Sequence, residues 1–251
     1  MHFLALAVDF DGTIAEHGNV PGEVCEALLT LKNSGRKLLL ITGRELQALK
    51  HQFSRLDLFD LVVAENGALL YDPATDTEEL IADPASTELV GRLRDKGVSP
   101  LSVGRSVVAT WHPFEDAVIS SIRELGLELH ITFNKDAIMV LPPSVNKASG
   151  LSAALLKLGI CELNVVGVGD AENDHAFLAS CGCSAAVSNA IASIKARADI
   201  CLTQDHGRGV RELIDLLLQK DAALVPVERI GLQLGQTDDA RPIWLPAESV
   251  L

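Results

Sequence analysis

The sequence predicts an α/β protein, a parallel sheet covered by helices on both faces and interrupted by a smaller α+β unit. Three observations predict it. Apolar runs such as Phe3–Val8, and 61–64 in the strand Leu61–Glu65, are continuous, as strands buried on both faces are, and they alternate with segments of helical period. From about residue 84 to 142 the order changes to helix, hairpin, helix, hairpin, the pattern of a small antiparallel unit. After Pro143 the strand–helix alternation resumes.

The elements follow in order. Phe3–Val8 reads as the first strand. Val24, Ala27, Leu28 and Leu31 put one apolar stripe on a helix over Pro21–Ser34, with Asn19 as its cap and Gly35 as its stop. Lys37–Thr42 is a strand, Glu45–Leu56 a helix and Leu61–Glu65 a strand. Ala68–Tyr71 and Glu79–Ala82 form a hairpin. The inserted unit then has helices at Thr87–Lys96 and Pro113–Leu125. Its strands are Val98–Val103, Val107–Trp111, Leu127–Phe133 and Ala137–Leu141. The resumed part has helices over Lys147–Leu158, Glu172–Ser180 and Gly209–Gln219. Its strands lie at Leu163–Val168, Ser184–Val187 and Ile200–Leu202. The units are therefore 1–83, 84–142, 143–222 and a tail, 223–251. In the tail, Arg229–Leu234 and Arg241–Leu245 flank a polar turn. Two readings stand there, an extension packed on the core or the opening hairpin of a fused C-terminal domain.

Composition narrows the function. The 251 residues carry 21 Lys and Arg against 34 Asp and Glu, a net charge of −13. That balance argues against nucleic acid and anionic membranes as partners, since both call for a basic face. No stretch approaches the roughly 18 consecutive apolar residues of a membrane span, and the N-terminus lacks the pattern of a signal peptide. Five scattered cysteines with no CxxC pair suit reduced thiols and a cytoplasmic protein.

Four motifs carry chemistry. Asp9-Phe10-Asp11-Gly12-Thr13 follows the first strand, at the sheet edge where open α/β proteins bind ligands. Two acids this close need a cation or a shared proton, and one suits a nucleophile, the other a proton donor. Thr42-Gly43-Arg44 ends the second strand and offers a hydroxyl and backbone N–H groups to a phosphate. Lys147 opens a helix and supplies a point charge. Gly169-Asp170-Ala171-Glu172-Asn173-Asp174 sets acids and an amide at a third strand end, a hard-oxygen donor set suited to Mg2+. Singly, each has a bland reading as a turn, a helix cap or a solvated charge.

As an ordered set the four resemble the motifs of the haloacid dehalogenase (HAD) superfamily of phosphohydrolases: DxDGT, S/T-G-R, Lys, GDxxND. The resemblance covers about residues 3–220. Only 31 residues separate Asp11 from Thr42, but 105 separate Thr42 from Lys147, and that second interval holds the insertion. This placement, with Val63–Ala68 and Met139–Pro142, resembles the Cof-like subclass IIB. Its smaller members include phosphoglycolate and sugar-phosphate phosphatases.

The resemblance implies a Rossmann-like parallel core with an inserted cap, and a phosphatase acting on a small phosphorylated metabolite. It implies Asp9 as nucleophile and Asp11 as general acid and base. It implies Mg2+ on the Asp9 carboxylate, the Asp11 main-chain carbonyl and Asp170, supported by Asp174. Thr42, Gly43, Lys147 and Asn173 would hold the phosphoryl group. Candidates for reading the rest of the substrate are Arg44, Asn66, Arg105, Trp111, His112, Asn134 and Lys135, with Glu65 at the hinge. Two alternatives stay open: a phosphomutase or phosphotransferase on the same aspartyl-phosphate, and a regulatory domain of a larger protein.

Overall fold

The computed structural model describes residues 1–134, 136–226, 231–236 and 242–246. The larger sheet begins with β1 (Ala5–Asp9), followed by helix α1 (Gly22–Asn33), β2 (Lys37–Ile41), α2 (Leu46–Gln52) and β3 (Leu61–Ala64). The hairpin β4 (Leu69–Asp72) and β5 (Thr77–Leu80) leads out of it. The inserted unit is α3 (Thr87–Asp95), β6 (Ser102–Val103), β7 (Val108–Trp111), α4 (Glu115–Leu125), β8 (His130–Asn134) and β9 (Ala137–Leu141). The chain then returns through α5 (Lys147–Leu158), β10 (Val165–Gly169), α6 (His175–Ser180), β11 (Cys183–Ala186), α7 (Ala192–Lys195), β12 (Ile200–Cys201) and α8 (His206–Lys220). In the tail, β13 (Gly231–Gln236) pairs antiparallel with β14 (Pro242–Pro246); the turn expected between them lies outside the described residues.

The large sheet runs β12-β11-β10-β1-β2-β3-β4-β5. Its first six strands are parallel, and β4 and β5 form an antiparallel edge. From β1 the chain winds outward through β2 and β3, then crosses back to β10 on the other side. β1 and β10 therefore flank the topological switch point, where the ends of adjacent strands leave a crevice. The acid motifs of Asp9 and Asp170 end these two strands and come side by side.

Continuous burial of β1, β3 and β10 explains their unbroken apolar sequences. α1 starts without a side-chain cap, at Pro21, whose fixed φ already fits a helix start. The cap expected from Asn19 is not made; Asn19 instead exchanges backbone hydrogen bonds with Glu16. α5 has the capping expected of a fixed start. Asn146 and Ser149 bond reciprocally at 3.0 Å, and Gly159 ends the helix at φ 67°. Lys147 is thereby held at the first helical position.

The smaller sheet runs β6-β7-β9-β8, all antiparallel. Alternation sorts its two faces. Val108, Ile138 and Val140 pack with Leu89, Val90, Leu93 and Val118 of α3 and α4. Val107, Met139 and Leu141 point the other way and pack with Ala68 and Val145 of the larger unit. The cap sheet therefore lies between its own helices and the core. The strand expected over Val98–Val103 shrinks to Ser102–Val103, because Pro100 has no N–H to give a ladder and its carbonyl accepts the Thr110 hydroxyl.

Candidate active site

Asp9, Asp170, Asp174 and Lys147 are all buried and meet at the switch point. Lys147 Nζ donates to Asp9 Oδ1 at 2.6 Å and to Asp174 Oδ1 at 2.5 Å. Asp174 Oδ2 accepts the backbone N–H groups of Asp170 (2.8 Å) and Ala171 (2.9 Å). Both Asp174 oxygens are thus engaged, and its carboxylate ties the lysine to the loop after β10. This bonding breaks the helix expected over Glu172–Ser180 into a tight turn at Glu172–Asp174 and then α6. Thr13 Oγ1 donates to Asp170 Oδ1 at 3.2 Å. Gly12, at φ 88°, passes so close to the Asp170 carboxylate that a Cβ there would collide with it.

Ligand oxygens of Asp9, Asp170 and Asp174 all lie within 4.8 Å of one another. Three carboxylates and one ammonium leave an excess of negative charge in a buried volume. Burial pushes the Asp9 pKa well above the usual carboxylate range; Asp174 adds to this and Lys147 opposes it. For Lys147, burial works against the charge, but Asp174 and Asp9 outweigh it and hold the ammonium above its ordinary pKa. An all-oxygen donor set with surplus negative charge fits a divalent hard cation such as Mg2+.

A pH dependence follows. A divalent cation held here would bind the ionised form of Asp9, and that acid keeps its proton to higher pH than an ordinary aspartate. Mg2+ affinity should therefore weaken as pH falls. The rise in Tm on adding Mg2+ is expected to be larger at about pH 8 than at about pH 5.5. An equal rise at both would contradict the shift.

The other motifs surround this cluster. Thr42 is fully buried at the end of β2 and accepts the Arg44 N–H on its hydroxyl at 3.1 Å. Arg44 clasps Asp11 with two parallel bonds of 2.7 Å and lies over the Phe10 ring, 5.3 Å from its centroid. Asn173 Nδ2 donates to Asn66 Oδ1 at 3.1 Å; its own Oδ1 is buried with no partner among the described residues. Such an atom suits a metal-bound water or a ligand hydroxyl. Met139, from the cap, stands over Gly43. A Cβ on Gly43 would lie 3.5 Å from the methionine methyl and 3.7 Å from Asn173.

Two residues expected to read substrate make surface ion pairs. The Arg105 guanidinium is 64% exposed and pairs with Glu78 at 2.9 Å. His112 is 71% exposed and pairs with Glu115, three residues on at the start of α4. Trp111 is partly exposed at the end of β7. Asn134 ends β8, but its side chain and Lys135 lie outside the described residues. Sequence reasoning used Met139 only as part of the subclass pattern and missed its place over Gly43. It also missed the use of Glu65, which is buried and spends its carboxylate on cap backbone.

The chain matches the family model of haloacid dehalogenase-like hydrolases over residues 6–96 and 115–214. It is 30% identical over 223 residues to a phosphoglycolate phosphatase of Methanothermobacter thermautotrophicus, covering 84% of this chain and 96% of the relative. Among solved structures it is similar to a haloacid dehalogenase-like hydrolase from Bacteroides thetaiotaomicron, with a TM-score of 0.72 at 18% identity, covering 86% and 99% of the two chains. It is also similar to a HAD subclass IIB sugar phosphatase, with a TM-score of 0.69 at 17% identity, covering 84% and 97%.

Proposed function

The chain belongs to the haloacid dehalogenase-like hydrolases, and from that premise we propose that it is a Mg2+-dependent phosphatase of small phosphorylated metabolites working through an aspartyl-phosphate on Asp9. The observation that carries this reading is the buried Asp9, placed at the tip of β1 between Lys147 and the loop after β10. A nucleophile is wanted there, beside an ammonium and the groups that hold a transferring phosphoryl.

Asp9 attacks phosphorus, and the bond to the leaving oxygen breaks. Asp11 gives that oxygen a proton, then takes one from the water that attacks the aspartyl-phosphate. Arg44 clasps both Asp11 oxygens in the form that accepts the water's proton; to give the leaving oxygen a proton, Asp11 must first take one up and the clasp must open. Lys147, the Thr42 hydroxyl, the Gly43 N–H and Asn173 hold the phosphoryl oxygens. Asp9, Asp170 and the Asp11 main-chain carbonyl, steadied by Asp174, would hold the cation. When bound, it supplies Lewis-acid polarisation and charge neutralisation.

Support for a small substrate comes from the cap. Met139 stands over Gly43, its methyl 3.5 Å from where a Cβ on that glycine would lie, and so bounds the space beside the phosphate loop from the cap side. With the phosphoglycolate phosphatase at 30% identity, this favours a phosphorylated hydroxy acid such as phosphoglycolate over larger esters. No helix among the described residues is long and apolar enough to cross a membrane. Five scattered cysteines with no CxxC pair suit a cytoplasmic setting.

The test is phosphate release from phosphoglycolate, hexose phosphates, mannosyl-3-phosphoglycerate and p-nitrophenyl phosphate, with Mg2+ and with a chelator. Metal-dependent release with the highest kcat/KM on phosphoglycolate is expected. A higher value on a hexose phosphate would move the substrate class. No release from any ester would overturn the reading.

A further inference from the structure

We propose that Glu65 is a positioning residue whose carboxylate latches the cap turn 104–107 to the core and so holds the closed cap over the phosphate loop. The kinetic arm of this inference rests on the phosphatase reading; the structural arm does not.

The contact is specific. One Glu65 oxygen accepts the Arg105 N–H at 2.9 Å. The other accepts those of Ser106 at 2.9 Å and Val107 at 3.2 Å. Three consecutive cap amides thus converge on one buried core carboxylate, the arrangement by which a backbone nest binds an anion. The cap turn is shaped for it. A Cβ on Gly104 would lie 2.6–2.7 Å from the Glu65 carboxyl atoms, so only glycine lets the turn close this far. Two further core carboxylates touch the same hairpin at more exposed points: Glu45 accepts from the Ser102 hydroxyl and Glu78 from Arg105. The Glu78–Arg105 pair is exposed on its arginine side and contributes little; beside the apolar packing of Val107, Met139 and Leu141 on Ala68 and Val145, Glu65 is the buried charged tie between cap turn and core.

The other side of the same turn is wired to the site. Glu65 N–H donates to the Arg44 carbonyl at 2.9 Å, and Asn66 N–H to the Thr42 carbonyl at 3.0 Å. Asn66 Oδ1 accepts from Asn173. Gly67 packs on the backbone of Asn146 and Lys147 at the start of α5. One three-residue turn therefore contacts the phosphate loop, the loop after β10 and the helix that presents Lys147, while its side chain grips the cap. Glu65, Asn66 and Gly67 have φ of 51°, 54° and 109°. Left-handed conformations at two adjacent non-glycine residues are costly and persist where surrounding contacts impose them.

The experiment compares Glu65→Gln, Gly104→Ala and the double variant in the full chain. Gly104→Ala disturbs the latch from the cap side and leaves Glu65 in place, so it decides the matter if Glu65→Gln fails to fold. The first readout is amide hydrogen exchange of the substrate-free protein. Exchange at Ser106 and Val107 is expected to rise on the order of tenfold or more in either single variant, with β1 and β10 unchanged. The second readout is the ratio of kcat/KM on phosphoglycolate to that on p-nitrophenyl phosphate, whose activated leaving group gains least from an enclosed site. That ratio is expected to fall on the order of tenfold, with the double variant no worse than either single one. Unchanged exchange would overturn the latch. Raised exchange with an unchanged ratio, or additive losses in the double variant, would overturn the positioning role. Absence of phosphate release by the unaltered protein would sink the phosphatase reading alone, because the exchange readout needs no substrate.

Discussion

Asp9→Asn is expected to leave a folded protein that releases phosphate roughly 10⁴-fold or more slowly than the unaltered chain. The asparagine keeps an oxygen for Lys147 at nearly the same place and removes the charge that attacks phosphorus. The fold should tolerate it. Asp9 is buried, is repelled by Asp174, and already sits well above the usual carboxylate pKa, so a neutral side chain relieves as much as it removes. Turnover and a thermal melt, measured together, separate chemistry from folding. Turnover at the original rate would show that another group is the nucleophile. A collapsed melt would show that the Asp9 charge is structural.

Lys147→Met is the change expected to cost the most stability. The lysine is fully enclosed and lies within 2.6 Å of two carboxylates, one at the tip of β1 and one in the turn after β10. Methionine of similar length fills the space but leaves Asp9 and Asp174 facing each other without a cation. Breaking a buried pair in this way typically costs about 3–5 kcal/mol. For a chain of this size that corresponds to a fall in Tm of roughly 6–20 °C. Added Mg2+ should recover part of the loss, since it answers the same excess of negative charge. A melt within about 1 °C of the original would contradict the account of Lys147 as the counter-ion of both acids.

Local signals made most of the scaffold legible. β9 and α5 occupy the residues expected of them, 137–141 and 147–158, because strand alternation and the caps at Asn146 and Gly159 are written in adjacent residues. The four motifs end strands or open helices of a sheet read as parallel, so the sequence put them at one sheet edge; the return crossing that sets β10 beside β1 came from the structure. Long-range pairing was not legible. Glu65 finds its partners 40 to 42 residues away, on a turn whose shape depends on a glycine without a marked backbone angle. Arg105 and His112 were expected to contact substrate from their place in the cap; each pairs with a carboxylate that this expectation did not include. For His112 that partner, Glu115, stands three residues on and could have been read as a helix-start pair. Arg105 meets Glu78 only because the cap docks against β5.

Chemical trapping of the covalent intermediate tests the central claim most directly. The protein is mixed with Mg2+ and its best phosphomonoester, quenched with borohydride during turnover, and digested for peptide mass mapping. Borohydride reduces an acyl phosphate and leaves a free carboxylate alone. Expected is homoserine at position 9, present only with substrate and absent from Asp9→Asn. An intact Asp9 while phosphate is being released, or reduction at Asp11 or Asp170 instead, would contradict an aspartyl-phosphate on Asp9.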